Sequence, residues 1–192
     1  FFRTYHHTGS TVITFSREHH DRRFPFFRIR QNNIALADLC TGVAADTNTA
    51  RISVIGVDDQ PGTAFRIFNT LAKNNINVDI ILQSVGRDGT KDISFTVSED
   101  DLDDAIHILE DHKEALTIKE ITSNRDVAKI SVVGAGMMSN PGVAAKMFET
   151  LYNARININM IATSEIRITV LVDKKDVEKA LNAVHDGFAG QL

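Results

Sequence analysis

The chain has 192 residues, a formal net charge of -4 and a charged fraction of 24%. This length and a hydrophobic content of 43% fit one or two small globular domains. The net charge offers no general attraction to nucleic acid, and no apolar run approaches the roughly 20 residues of a membrane helix. The single cysteine, Cys40, leaves no internal disulfide and no multi-cysteine metal site. We therefore expect a cytoplasmic protein that binds neither nucleic acid nor membrane and holds no metal or cofactor.

Residues 1–40 differ in composition from the remainder of the chain. They hold six of the eleven phenylalanines and more arginines than acids, without a lasting strand or helix period. The histidine pairs His6-His7 and His19-His20 suggest metal ligands, but no predicted scaffold fixes them in space. We expect a solvated or disordered N-terminal arm.

A strand, a tight turn and a helix organise the first regular stretch. Arg51–Val57 alternates as a half-buried strand, and a Pro-Gly pair breaks it. The next residues, Thr63–Lys73, place apolar side chains at helical spacing, so the turn opens a helix. The first N–H groups of that helix lack partners within it and can receive a carboxylate. The elements predicted next are a strand at Ile76–Val85, a loop at Gly86–Gly89, a strand at Asp92–Val97, a helix at Asp100–His112 and a strand at Ala115–Thr122.

The same pattern then begins again. Residues 128–135 match residues 50–57 at an offset of 78, and the Pro-Gly turn recurs at an offset of 80. At the second offset, 10 of 25 positions agree between residues 61–85 and 141–165, which indicates two copies of one module. The order β-α-β-β-α-β predicts an α+β protein with two ferredoxin-like modules. The last predicted elements are a strand at Arg167–Val172 and a helix at Asp176–Gly187.

The second copy is one strand short, because only five residues follow its last helix. An open sheet edge favours a covering strand, and the segment Thr41–Asp46 is the obvious donor. We therefore predict that the first module is inserted within the second. The predicted divisions are an arm at 1–40, a first domain at 49–125 and a second domain made of 41–48 and 126–192.

The two ordered copies resemble the paired ACT domains at the C-terminal end of aspartate kinase, over about residues 41–189. The resemblance is carried by TGVAADTNTARISVIGV from Thr41, DDQPGTAFRIFNTLAKNNINVDIILQ from Asp58 and VVGAGMMSNPGVAAKMFETL from Val132. A single Pro-Gly turn is weak support, whereas the ordered set in two copies is specific. The resemblance implies two ACT domains.

The resemblance also implies a regulatory function. Such regions sense amino acids of the aspartate pathway, usually lysine, threonine or both, and give feedback control of that biosynthesis. Their ACT domains pair side by side with the effector between them, and the region also occurs as a separate small subunit. We therefore expect a homodimer, a catalytic aspartate kinase chain as a further partner, and no catalysis by this chain. The alternatives left open are a fragment of a full aspartate kinase and an ACT-type regulator of another amino-acid enzyme.

The chemistry of a free amino acid defines the candidate site. Its carboxylate needs N–H donors and its ammonium needs carboxylates or carbonyls, which the helix-opening corner and neighbouring strand ends supply. Each residue also has a plain structural explanation, since acids such as Asp59 commonly form turns. No catalytic or metal-binding residue is predicted. The candidate effector-binding residues are Asp59, Gln60, Pro61, Gly62, Thr63, Ala64, Asn77, Val78, Asp79, Gln83, Asn157, Ile158, Thr163, Ser164 and Glu165.

Two other classes of function fit the sequence less well. Phosphorylation of aspartate by this chain alone lacks a Walker-type loop or other nucleotide motif. RNA binding on a ferredoxin-like sheet needs an aromatic platform, and the third strand carries Phe95 without such a run.

Overall fold

The computed structural model describes residues 6–7, 10–11, 42–85, 89–134, 137 and 141–189. The predicted arm at 1–40 lies outside these residues, apart from a short antiparallel pairing of two strands, β1 and β2. The strands are β1 His6–His7, β2 Ser10–Thr11, β3 Gly42–Asp46, β4 Ala50–Asp58, β5 Ile81–Val85, β6 Thr90–Val97, β7 Glu120–Asn124, β8 Val127–Val133, β9 Met160–Thr163 and β10 Arg167–Asp173. The helices are α1 Thr63–Lys73, α2 Leu102–Asp111, α3 Val143–Asn153 and α4 Val177–Ala189, and a 3-10 turn lies at Lys174–Asp176.

Two four-stranded antiparallel sheets carry these helices, which confirms the α+β class. The first module has the strand order β5-β6-β4-β7, with α1 and α2 packed on one face. The second module has the order β3-β8-β10-β9, with α3 and α4. The strand β3 runs along β8, so that Val43 lies opposite Val132.

The two edge strands β3 and β7 occupy equivalent places. Each residue of β7 lies 78 positions after its counterpart in β3, which is the offset of the sequence repeat. β3 precedes β4 in the chain but lies beside β8, whereas β7 precedes β8 but lies beside β4. Two short linkers, 47–49 and 125–126, therefore cross between the modules.

Each module has its own apolar core. In the first, Ile52, Phe95 and Leu71 are fully buried, and the ring of Phe95 packs edge-on against Phe68 at 5.4 Å between centroids. The second core surrounds Ile130, the counterpart of Ile52 at the offset of 78. Alternation along the central strands places one face on the helices, as the sequence period predicts.

Two strands begin several residues later than the sequence predicts. The strand predicted at Ile76–Val85 begins only at Ile81. The predicted strand Ala115–Thr122 begins only at Glu120, because the preceding residues form a turn with Thr117 at a φ of 55°. Leu116 and Ile118 are nevertheless buried in the first core. Their apolar spacing reflects burial of a turn, which a strand period alone does not distinguish.

The two linkers between the modules contain the same hydrogen-bonded turn. Asn48 donates its N–H to Asp46 in the first linker, and Asp126 donates its N–H to the side chain of Asn124 in the second. These turns lie at equivalent positions of the repeat. Among the described residues, Lys174 of the second module forms an ion pair of 2.6 Å with Glu99 of the first.

Candidate functional site

The corner between β4 and α1 is held by main-chain hydrogen bonds. The N–H of Asp59 donates to the carbonyl of Gly89 at 3.2 Å, and the N–H of Gln60 donates to the carbonyl of Asp58 at 2.9 Å. Gly62 then has a φ of 93°, which turns the chain into the helix. The corner is therefore held by main-chain hydrogen bonds and does not need its side chains for them.

The first turn of α1 presents unpaired donors. The N–H of Thr63 donates to the carbonyl of Gln60 at 3.3 Å. Within the described part of the chain, the N–H groups of Ala64 and Phe65 have no acceptor. The hydroxyl oxygen of Thr63 is also buried without a partner there. Together with the helix dipole, these groups favour an anion at the corner.

The left-handed backbone at Gly62 gives a stability test. An added Cβ meets no atom within 4 Å, so the cost of Gly62→Ala arises only from the positive φ of 93°. We expect a loss of about 1–2 kcal/mol in the free energy of unfolding, measured by urea titration. Gly42→Ala is the control, because its added Cβ also meets no atom within 4 Å and the backbone at residue 42 lacks a positive φ. An equal loss in both variants would contradict the explanation.

Asp59 contributes the negative charge at this corner. Its carboxylate lies 2.6 Å from the ammonium of Lys91, and its side chain is 46% exposed. Lys91 was not found by sequence reasoning, because a lysine after a hairpin loop carries no distinctive signal. The exposed side of the carboxylate remains accessible to a second cation, such as the ammonium of a free amino acid.

The structure does not bring all the predicted residues of the first module together. The N–H of Asp79 donates to the carbonyl of Thr96, which lies opposite Arg51 at the start of β4. The corner follows the other end of β4, roughly 20 Å away at about 3.3 Å per residue. Asn77 and Val78 belong to the same distant end as Asp79. Gln83 lies opposite Ile93, between the two ends.

The second module divides in the same way. Gly142 has a φ of 98° before α3, so its corner repeats the first. Thr163 lies opposite Ile168, and Ser164 donates its N–H to the carbonyl of Arg167 at 2.7 Å, close to that corner. Asn157 and Ile158 precede β9 at the opposite end. The predicted Glu165 is exposed in the turn after Ser164.

Charged groups cluster at the end of each sheet that lies opposite its glycine corner. Lys129 of β8 lies 3.2 Å from Asp46 and also contacts Asp79 of the first module. In the second module, Asn159 donates to Asp173 at 2.8 Å. This hydrogen bond lowers the pKa of Asp173, desolvation raises it by less, and Lys175 adds to the lowering.

A cleft of about 460 Å³ lies at the module junction, lined by Asn124, Asp126, Asp173, Lys174 and Lys175. None of these is a predicted effector-binding residue. Among the described residues, no group of three or more histidine, cysteine, aspartate or glutamate side chains is placed to hold a metal ion. No described helix is long and apolar enough to cross a membrane.

Comparisons with known proteins support the two-module organisation. The profile of the ACT domain matches residues 52–112 and 130–188. The chain is similar to aspartokinase 2 of Bacillus subtilis (strain 168), with 44% identity over 147 residues, covering 77% of this chain and 36% of the relative. The chain thus spans about a third of the length of the curated relatives it matches.

Two solved structures match over nearly their whole length. A crystal structure of aspartokinase alpha and beta subunits has a TM-score of 0.73 and 45% identity, covering 78% of this chain and 99% of the other. The ligand-free regulatory subunit of aspartate kinase from Thermus thermophilus has a TM-score of 0.72 and 43% identity, covering 78% and 98%.

Proposed function

Because the chain belongs to the ACT-domain family, as a tandem pair of the aspartate kinase regulatory type, we propose that it binds lysine, threonine or both. Binding would regulate aspartate kinase by feedback. An effector shifts an allosteric balance only through its different affinity for two states. The observation that carries the proposal is the corner at Asp59–Ala64, where unpaired N–H donors and a half-exposed carboxylate lie close together.

The outer strands of the two sheets support a site that is shared between two chains. β5 and β9 are outer strands of their sheets, and each exposes an isoleucine at the same repeat position, Ile81 at 48% and Ile161 at 40%. An unpaired edge with exposed apolar residues favours pairing with another chain. We propose a homodimer in which β5 of one copy runs antiparallel to β9 of the other.

This pairing would assemble two kinds of site. The α1 site would combine Asp59–Ala64 and Gln83 with Asn157 and Ile158 of the partner copy. The α3 site would combine Thr163, Ser164 and Glu165 with Asn77, Val78 and Asp79 of the partner copy. An antiparallel pairing supports this division because it sets the corner end of one edge strand beside the starting end of the other.

The proposed division of the chain follows the strand order. We assign residues 49–125 to the first ACT domain and residues 41–48 with 126–192 to the second. The pairing of β3 with β8 supports the placing of the first domain within the second. A catalytic aspartate kinase chain is the partner on which the regulation would act.

Calorimetry of the full chain with lysine, threonine and both together tests the function. We expect binding of at least one of the two amino acids. Asp59→Ala should weaken binding at the α1 site by about tenfold or more, because hydrogen bonds to charged groups contribute about 1.5–3 kcal/mol. Asp58→Ala, an exposed neighbour, is the matched control.

Different results would contradict different parts of the proposal. If wild-type protein binds neither amino acid, the regulatory function as stated is wrong. If it binds and Asp59→Ala binds equally well, Asp59 is removed from the α1 site while the function stands.

A further inference from the structure

Asp79 is held by a residue of the other module. One oxygen of its carboxylate, Oδ2, contacts the ammonium of Lys129, which projects from β8. Lys129 is 15% exposed and lies 3.2 Å from Asp46, which is 17% exposed. This three-residue charge cluster therefore joins the segment before β5 to the second sheet.

The charge cluster leaves one side of Asp79 open. Two carboxylates surround one ammonium, so the cluster carries one uncompensated negative charge. Asp79 is 47% exposed, and no described residue donates a hydrogen bond to its second oxygen, Oδ1. Lys129 holds one oxygen of this half-exposed carboxylate, which leaves the other able to accept a cationic group.

The repeat places a polar side chain before the outer strand of each module, and in both modules another residue binds it. The binding residue comes from a different module in the two cases. Asn159 is the counterpart of Asp79 at the offset of 80, and Asp173 of its own module binds it. Lys129 is the counterpart of Arg51 at the offset of 78. The side chain before β9 is therefore positioned from within its module, whereas the one before β5 is positioned from the neighbouring module.

We infer that Lys129 is a positioning residue for the α3 site, because it orients Asp79 toward the ammonium of the bound amino acid. This inference rests on the proposed function. Since Lys129 and Asp79 belong to different modules, the affinity of the α3 site depends on how the modules are arranged. Binding there favours, by linkage, the arrangement in which Lys129 reaches Asp79. The α1 site has no such dependence.

A second ion pair between the modules provides a matched control. Lys174 and Glu99 also join the two sheets, at 2.6 Å, but neither contacts Asp79. Lys174→Gln therefore removes an ion pair between the modules without disturbing the contact between Lys129 and Asp79. Asp46→Asn removes the other partner of Lys129 and leaves its contact with Asp79 in place.

The experiment is calorimetry of the full chain with lysine and with threonine, together with thermal unfolding and measurement of the oligomeric state. We expect Lys129→Gln to weaken binding at the α3 site about tenfold, within the usual range of coupling between sites. Binding at the α1 site should be unchanged. Lys129→Arg should restore most of the affinity, and Lys174→Gln and Asp46→Asn should bind as wild type.

Three results would overturn the inference. Unchanged affinity in Lys129→Gln would show that Asp79 needs no positioning, while the proposed function stands. Equal weakening in Lys129→Gln and Lys174→Gln would show a general effect of loosening the junction. If wild-type protein binds neither amino acid, the inference and the proposed function are both wrong.

Discussion

We expect Val43→Asp to destabilise the second module, although residue 43 directly precedes the first module in the chain. Val43 is 7% exposed in the second core and lies opposite Val132, which is fully buried. A carboxylate there has no cation to pair with in the core, so the cost should be about 3 kcal/mol or more. Hydrogen exchange should show lost protection in β8 and α3, with β4 and α1 unchanged.

The equivalent position of the other edge strand provides a control for this substitution. Ile121 lies 78 positions later on β7, opposite Val54, and packs against the first core. Ile121→Asp should therefore remove protection from β4 and α1 and spare β8. If each substitution instead weakened the module that follows it in the chain, the pairing of β3 with β8 and of β7 with β4 would be wrong.

We expect Phe95→Ala to cost about 3–5 kcal/mol of unfolding free energy in the first module. Phe95 is fully buried on β6, and its ring meets Phe68 at 5.4 Å with an interplanar angle of 75°. Removal leaves a large cavity and also ends an edge-to-face contact. Because the chain has no tryptophan, urea unfolding followed by circular dichroism is the suitable measurement.

Phe65→Ala supplies the comparison for the same chemical change. Phe65 lies on α1 and is 70% exposed, so its removal should change stability by no more than about 0.5 kcal/mol. Similar losses in the two variants would show that burial in the first core does not decide the effect of Phe95.

The sequence predicted the elements where periodicity was strong. The strand before the Pro-Gly corner and the helix after it appear at Ala50–Asp58 and Thr63–Lys73, close to the predicted bounds. The repeat offset also predicted a second corner of the same form at Gly142. These features depend on local backbone preferences and on which side chains alternate, which a single sequence expresses directly.

The candidate site was predicted less completely. The sequence placed Asp59 and Asp79 in one group because both lie near the same strand–helix–strand unit. The structure separates them, since β5 runs antiparallel to β6 and carries Asp79 to the far end of the sheet. The cations that hold the two carboxylates, Lys91 and Lys129, come from other strands and were not identified.

One signal in the sequence points to Lys129. The repeat offset of 78 pairs it with Arg51, so both copies carry a basic residue at this place. That recurrence marks the position but does not name its partner. Asp79 lies 50 positions earlier in the chain, and no local period connects the two.

The sequence by itself determined the duplicated module, the two glycine corners and the identity of the apolar cores, because these follow from short-range spacing and from internal repetition. Only the tertiary structure decided the register in which each edge strand pairs, which carboxylate each lysine holds and which ends of the sheets carry the candidate residues. These features depend on strand pairing and on charges brought together across the two modules. Such contacts join distant positions, and their geometry exists only once both sheets have formed.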